Sequence, residues 1–198
     1  MLEKLSYSKK NVYEESSSEK IKAIFDYSLG YMNYLDNSKT EREATRASVE
    51  ILEKKGFTEY KFGDKISVGD KKYLNHHGKS LIAFVVGEND IEKDGIRLIA
   101  AHIDSPRIDL KQIPMYEDAG MGFLKTHYYG GVKKYQWTAI PLAMHGVMVK
   151  ADGEVVEIRI GEDDGDPVFY INDLLPHLGQ RQAAEPLGSA IAGETLNI

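Results

Sequence analysis

The sequence predicts an α/β fold over its first hundred or so residues and a mostly β fold after that. Three observations carry this. The apolar spacing changes from helical to strand-like at Phe57. Two almost wholly apolar runs, Leu81–Val86 and Ile96–Ile103, read as strands buried on both faces. Beyond Pro106, alternating segments are separated by glycine-containing turns, of which Asp152-Gly153 is the strongest hairpin signal.

Residues 1–18 are polar, end in Ser16-Ser17-Ser18, and read as a loose leading arm. Ser18 caps a helix over 19–36, where Ile21, Ile24, Phe25, Met32 and Leu35 recur at helical spacing and predict a core-facing stripe. Tyr27, Tyr31 and Tyr34 read as packing groups. Asn37-Ser38-Lys39 is a turn. Thr40 and Glu43 form a capping box, and Ala44, Ala47, Ile51 and Leu52 share one face of the helix that follows. Lys54 and Lys55 suit its negative end, and Gly56 stops it. Gly63, Gly69-Asp70 and His77-Gly78 then punctuate short strands. His76 and His77 face opposite sides of a strand, which favours a solvated turn over a shared ligand. Glu88–Gly95 is a charged connection.

After Pro106, Arg107–Met115 alternates in part and Tyr116–Gly122 reads as an acidic turn. Phe123–Tyr129 and Val132–Ala139 flank Gly130-Gly131 as strands. Ile140–Lys150 and Glu154–Ile160 form a hairpin in which Val156, Ile158 and Ile160 face one way. Glu162–Asp166 holds four acids in five residues without calcium-loop spacing, and reads as a solvated turn. Val168–Ile171 is a strand. Asn172 or Asp173 caps a short helix with Pro176 in its first turn. After Gln180 the chain reads as a mobile connection.

The chain has 198 residues, a net charge of -6 and no cysteine. The mild acidity argues against a nucleic-acid partner. Without cysteine there are no disulfides, and a reducing compartment is permitted. No apolar leader and no membrane-spanning run is visible, so the expectation is a soluble cytoplasmic protein with no membrane partner.

Chemistry concentrates at Ile96–Pro106, I-R-L-I-A-A-H-I-D-S-P. His102 and Asp104, two apart at a strand's carboxyl end, project to the same side, where α/β sheets bind ligands. Neutral imidazole ligates zinc, and a neighbouring carboxylate commonly orients such a ligand. A locally hydrogen-bonded pair is the plainer alternative, because a catalytic zinc needs about three protein ligands. A Ser105 nucleophile served by His102 and Asp104 is disfavoured: Ser105 faces the opposite side, and no Gly-x-Ser-x-Gly elbow surrounds it.

The stretch A-H-I-D-S-P-R-I-D-L-K resembles the first metal-site motif of the aspartyl-aminopeptidase-type zinc metallopeptidases. Further similarity lies in S-L-I-A-F-V-V-G at 80–87, Y-Y-G-G-V-K-K-Y-Q-W at 128–137, I-P-L-A-M-H-G-V at 140–147, D-L-L-P-H-L at 173–178 and G-E-T-L-N-I at 193–198, all in the family's order. The resemblance implies that His102 is a zinc ligand and Asp104 a catalytic residue beside the metal. It implies a site for two zinc ions, with cobalt or manganese as substitutes, roughly 3.5–4 Å apart. The metals would generate hydroxide from water, with a Glu as base. Peptides with an acidic N-terminal residue are the implied substrates.

The family's bridging Asp, paired Glu residues, later Asp and final His are not found here. The expectation is therefore the amino-terminal part of such an enzyme, inactive alone. Residues 1–106 would be the first part of an α/β catalytic domain, and 107–198 a β-rich dimerisation domain forming a homo-oligomer. In that family a histidine of the dimerisation domain reaches the partner subunit's active site. His145 is the candidate, its plain reading being a histidine on a hairpin face; His127 and His177 have weaker claims. Trp137 and Tyr128-Tyr129 read as interface or core. A non-catalytic assembly module, with His102 structural, is the alternative function.

Overall fold

Side-chain caps decide where the first helices begin. The computed structural model describes residues 9–198; the opening of the polar arm lies outside the described residues. Within the arm, the Asn11 side chain accepts from the Tyr13 amide at 3.0 Å and starts a single turn, α1 (Val12–Glu15). Ser17 accepts from the Lys20 amide at 3.3 Å and starts α2 (Ser18–Asp36), one residue ahead of the expected cap. The expected capping box opens α3 (Glu41–Lys54): Thr40 Oγ1 accepts from the Glu43 amide at 3.3 Å, and Glu43 accepts from the Thr40 amide at 2.9 Å. At its end the Phe57 amide reaches the Leu52 carbonyl and the Gly56 amide reaches that of Glu53, at 3.0 and 2.9 Å. This reversal needs the φ of +83° that Gly56 adopts.

The chain divides into two units, meeting between Ile103 and Asp104. In the first, a sheet of β1 (Thr58–Glu59), β2 (Lys71–His76) and β3 (Ser80–Val85) is ordered β1-β2-β3, with β1 parallel and β3 antiparallel to β2. His77 and Gly78, with φ of 55° and 66°, turn the hairpin, so the histidine doublet straddles a turn as expected. Ala44, Thr45 and Tyr73 are buried, and the Tyr73 hydroxyl donates to Glu53 at 2.8 Å, tying α3 to the sheet.

Three expectations for this unit fail for one reason. Of the α2 stripe, Phe25, Met32 and Leu35 are exposed, Phe25 at 57 %, while Ile21 and Ile24 are half-buried. In β3, Leu81 and Phe84 are half-buried while Ile82 and Val85 are exposed. Residues 96–106 form no strand, and Ile99 is 96 % exposed. Apolar content favours burial, but burial needs a covering surface, and a strand needs a neighbour for its backbone groups. No described segment pairs with 96–103. The connection before it holds one helical turn, α4 (Ile91–Asp94), capped by Asp90.

The second unit is β-rich. A long hairpin joins β4 (Arg107–Asp118) to β5 (Met121–Tyr129). Its turn is only Ala119 and Gly120, with φ of 50° and 75°, so both strands run through most of the expected loop 116–122. The register shifts between Leu110 and Met115. There Pro114 has no amide to donate to the ladder. Beside the shift, Leu124 and Ile198 exchange both backbone hydrogen bonds, at 2.7 and 3.0 Å. Residues 132–139 hold a 3-10 turn (Lys134–Gln136) instead of the expected strand. β6 (Pro141–Leu142) pairs with β9 (Phe169–Tyr170). β7 (Met144–Val149) pairs with β8 (Val155–Ile160), whose Val156, Ile158 and Ile160 share the covered face as expected.

The tail departs most from expectation. No helix is capped by Asn172 or Asp173; Pro176–Leu178 is a turn, and α5 (Gln180–Ala184) and α6 (Leu187–Ala190) follow. Asp173 accepts from the Gln182 side chain at 3.1 Å and so braces α5. The stretch expected to be mobile supplies much of the core: its Ile191 and Leu196 are buried with Ile171, against Ile108, Tyr135, Trp137, Leu142 and Ile198. Thr126, also buried, donates its hydroxyl to the Leu196 carbonyl. No helix among the described residues is long and apolar enough to cross a membrane.

Candidate functional site

Asp104 lies outside any strand, just before β4, and the Tyr129 phenol hydroxyl donates to its Oδ2 at 2.8 Å. Tyr129 is the last residue of β5 and lies directly opposite Arg107, the first of β4. The Arg107 guanidinium covers the Tyr129 ring, 4.3 Å from its centroid. Planar and delocalised, a guanidinium stacks well on an aromatic face. Arg107 is itself anchored, by Asp109 Oδ1 at 2.8 Å and by the Ser105 carbonyl at 3.3 Å. Just beyond Tyr129 the chain turns at Gly130, with φ of 75°, where a Cβ would lie 3.5 Å from Pro106.

His102 lies at the end of the irregular segment of the first unit, with its ring exposed. Among the described residues no group of three or more histidines and carboxylates gathers closely enough to hold a metal ion. The donor types suit zinc, one imidazole with a carboxylate held near it in sequence, but they fall short of the roughly three ligands a catalytic zinc takes. His102 and Asp104 are the candidate donors among the described residues.

His145 sits in β7 opposite Arg159 of β8. Its side chain is 10 % exposed, and its Nε2 lies 3.3 Å from Glu162 Oε1. The other oxygen of Glu162 meets Arg159 Nε at 3.2 Å, so one carboxylate joins the histidine to the arginine. The acidic segment that holds Glu162 is an exposed turn, as expected, and is braced from within. Asp166 accepts from the Gly161 and Asp163 amides at 2.9 and 3.4 Å. The Gly161 bond is the main reason its carboxyl is held below the usual aspartate range. His127 and His177 are exposed. Lys111 donates to Glu194 at 2.7 Å and holds that carboxyl low.

Sequence reasoning singled out His102, Asp104 and His145, and read Tyr129 as interface or core and Glu162 as part of a solvated turn; the bond from Tyr129 to Asp104 is what the structure adds. A hairpin register starting at Arg107 was the signal that could have found Tyr129, since it sets Tyr129 across from the residue just after Pro106.

The profile of the aminopeptidase I zinc metalloproteases, M18, matches residues 34–195. A probable M18 family aminopeptidase 1 of Clostridium acetobutylicum is 44 % identical over 193 residues, spanning 96 % of this chain and 41 % of that protein. The crystal structure of the M18 aminopeptidase of Thermotoga maritima superposes with a TM-score of 0.86 at 40 % identity, covering 97 % of this chain and 41 % of that one. That of aminopeptidase I of Borrelia burgdorferi gives 0.79 at 39 % identity, covering 84 % and 41 %. The chain thus spans about two fifths of the length of the relatives it matches. The match runs through both units and includes every residue of the candidate site, and the chain belongs to the M18 family of aminopeptidase I zinc metalloproteases.

Proposed function

We propose that these residues form the amino-terminal part of a zinc-dependent aminopeptidase. The division would fall at Pro106, with 1–106 belonging to the catalytic domain and 107–198 to a β-rich oligomerisation domain. Membership of a zinc metalloprotease family whose matched region contains His102 and Asp104 is the observation that carries this reading. In metal-assisted hydrolysis a bound zinc polarises the substrate carbonyl and lowers the pKa of its water. The contribution proposed for this chain is an imidazole from His102 to one of two metals and an orienting carboxylate from Asp104. The bridging carboxylate, the general base and the remaining ligands would come from polypeptide other than the described residues. Peptides with an acidic N-terminal residue are the proposed substrates, and a cytoplasmic homo-oligomer the proposed form. A solved relative with the same fold, the mApe1 protein of S. cerevisiae, is described as a dodecamer.

His145 is proposed to contribute to a partner subunit's active site. Its partner Glu162, in the turn just after β8, would then hold the ring. Substitution in the catalytically competent, zinc-loaded protein tests these roles. His102→Ala should abolish turnover and lower bound zinc with little loss of folding. Asp104→Ala should lower turnover more than zinc content. His145→Ala should lower turnover at unchanged zinc content. Full activity in a variant would remove the assignment of that residue.

A further inference from the structure

We propose that Tyr129 is a positioning residue that fixes the orientation of the Asp104 carboxylate, so that the first hairpin of the β-rich unit sets the geometry of a catalytic group. This rests on the reading of Asp104 as catalytic. An aspartate carboxylate can occupy several staggered rotamers. The 2.8 Å bond from the Tyr129 hydroxyl selects one of them. A tyrosine suits this task because it has only two side-chain torsions, and here both are constrained. Its backbone is locked opposite Arg107 by the ladder, and its ring is covered by the Arg107 guanidinium at 4.3 Å. The Asp109 carboxylate holds that guanidinium in turn, at 2.8 Å. Positional information therefore runs from the paired strands through Arg107 and Tyr129 to Asp104. All four residues lie in one unit, so the arrangement is intrinsic to it.

A tyrosine there for packing alone would be replaced by phenylalanine without consequence. Tyr129→Phe keeps the ring and the stacked arginine and deletes only the hydroxyl. In the competent, zinc-loaded protein this change should lower kcat about 10- to 100-fold, the usual effect of losing a group that orients a metal-site residue. KM should stay within about twofold and bound zinc should be unchanged, because Tyr129 touches neither substrate nor metal in this scheme. A crystal structure of the variant should show Asp104 in a different rotamer or in more than one. Asp104→Asn, assayed alongside, separates the two layers of the argument. If Asp104→Asn is inactive and Tyr129→Phe retains full kcat, the positioning role is refuted while the reading of Asp104 stands. If Asp104→Asn is fully active, the reading of Asp104 fails and the proposal falls with it. A Tyr129→Phe protein that loses zinc or melting temperature in step with activity would show a structural role and also overturn the proposal.

Discussion

Replacing Leu196 by alanine should cost the β-rich unit a large share of its stability. Leu196 is 0 % exposed and sits with Ile171 and Ile191 at the centre of the cluster. Removing a fully buried leucine side chain forfeits about 1.5–3 kcal/mol of transfer free energy. The cavity left behind raises the total to roughly 2.7–5 kcal/mol. The low half of that range, about 3 kcal/mol, suits a site near the end of a β-bridged tail, where the backbone has room to settle. Trp137 is the chain's single tryptophan and packs on this cluster, so its fluorescence reports on this unit alone. With a urea m-value of about 2 kcal/mol/M, the midpoint should fall by roughly 1.5 M at unchanged slope. Leu187→Ala, at a position 61 % exposed, is the control and should stay within about 0.5 kcal/mol. A Leu196→Ala shift below about 0.3 M, by the same slope, would mean that residues 191–198 are not packed into the core and that the mobile-tail reading was right.

Two further outcomes follow from local geometry. Gly161→Ala should destabilise by roughly 1–3 kcal/mol in thermal unfolding. Gly161 has a φ of +105°, and the added Cβ would meet Ala143 Cα at 3.0 Å and the Leu142 carbonyl at 3.2 Å, both backbone atoms that cannot rotate away. Tyr73 should titrate apart from the other tyrosines in an ultraviolet titration: its hydrogen bond to Glu53, aided by burial and by the charges of Glu53 and Glu59, raises its pKa to about 12. A phenol whose folded pKa is raised stabilises fully below its ordinary value near 10 and loses that stabilisation as pH climbs towards about 12. Tyr73→Phe should therefore cost about 1.5 kcal/mol at pH 7 and flatten this alkaline loss.

What was legible in the sequence was what short-range chemistry determines. The Thr40–Glu43 box and Gly56 bracket α3 because caps and left-handed glycine act within a turn of the chain. The β7–β8 hairpin was readable because Asp152-Gly153 and the alternation of β8 agree. Ile96–Ile103 was misread because apolar composition reports a demand for burial, while a strand also needs a neighbour to pair with. The tail after Gln180 was misread for the opposite reason. Small and apolar residues without period look mobile, yet Ile191 and Leu196 are held by contacts with residues 20 to 88 positions earlier, including Ile108 and Ile171. At the candidate site, His102 and Asp104 stood out through their spacing and a family motif. Tyr129 did not, because its bond to Asp104 spans 25 residues and depends on the register of a bulged hairpin.

The proposed function has these residues holding part of a zinc aminopeptidase site and not all of it. The most direct measurement is release of a chromophore from an N-terminal aspartyl or glutamyl substrate by the purified 198-residue chain, with added zinc or cobalt and with a chelated control. The account predicts no turnover in either condition. Chelator-sensitive turnover would contradict it, because the chain would then complete a metal site from residues assigned here to the fold.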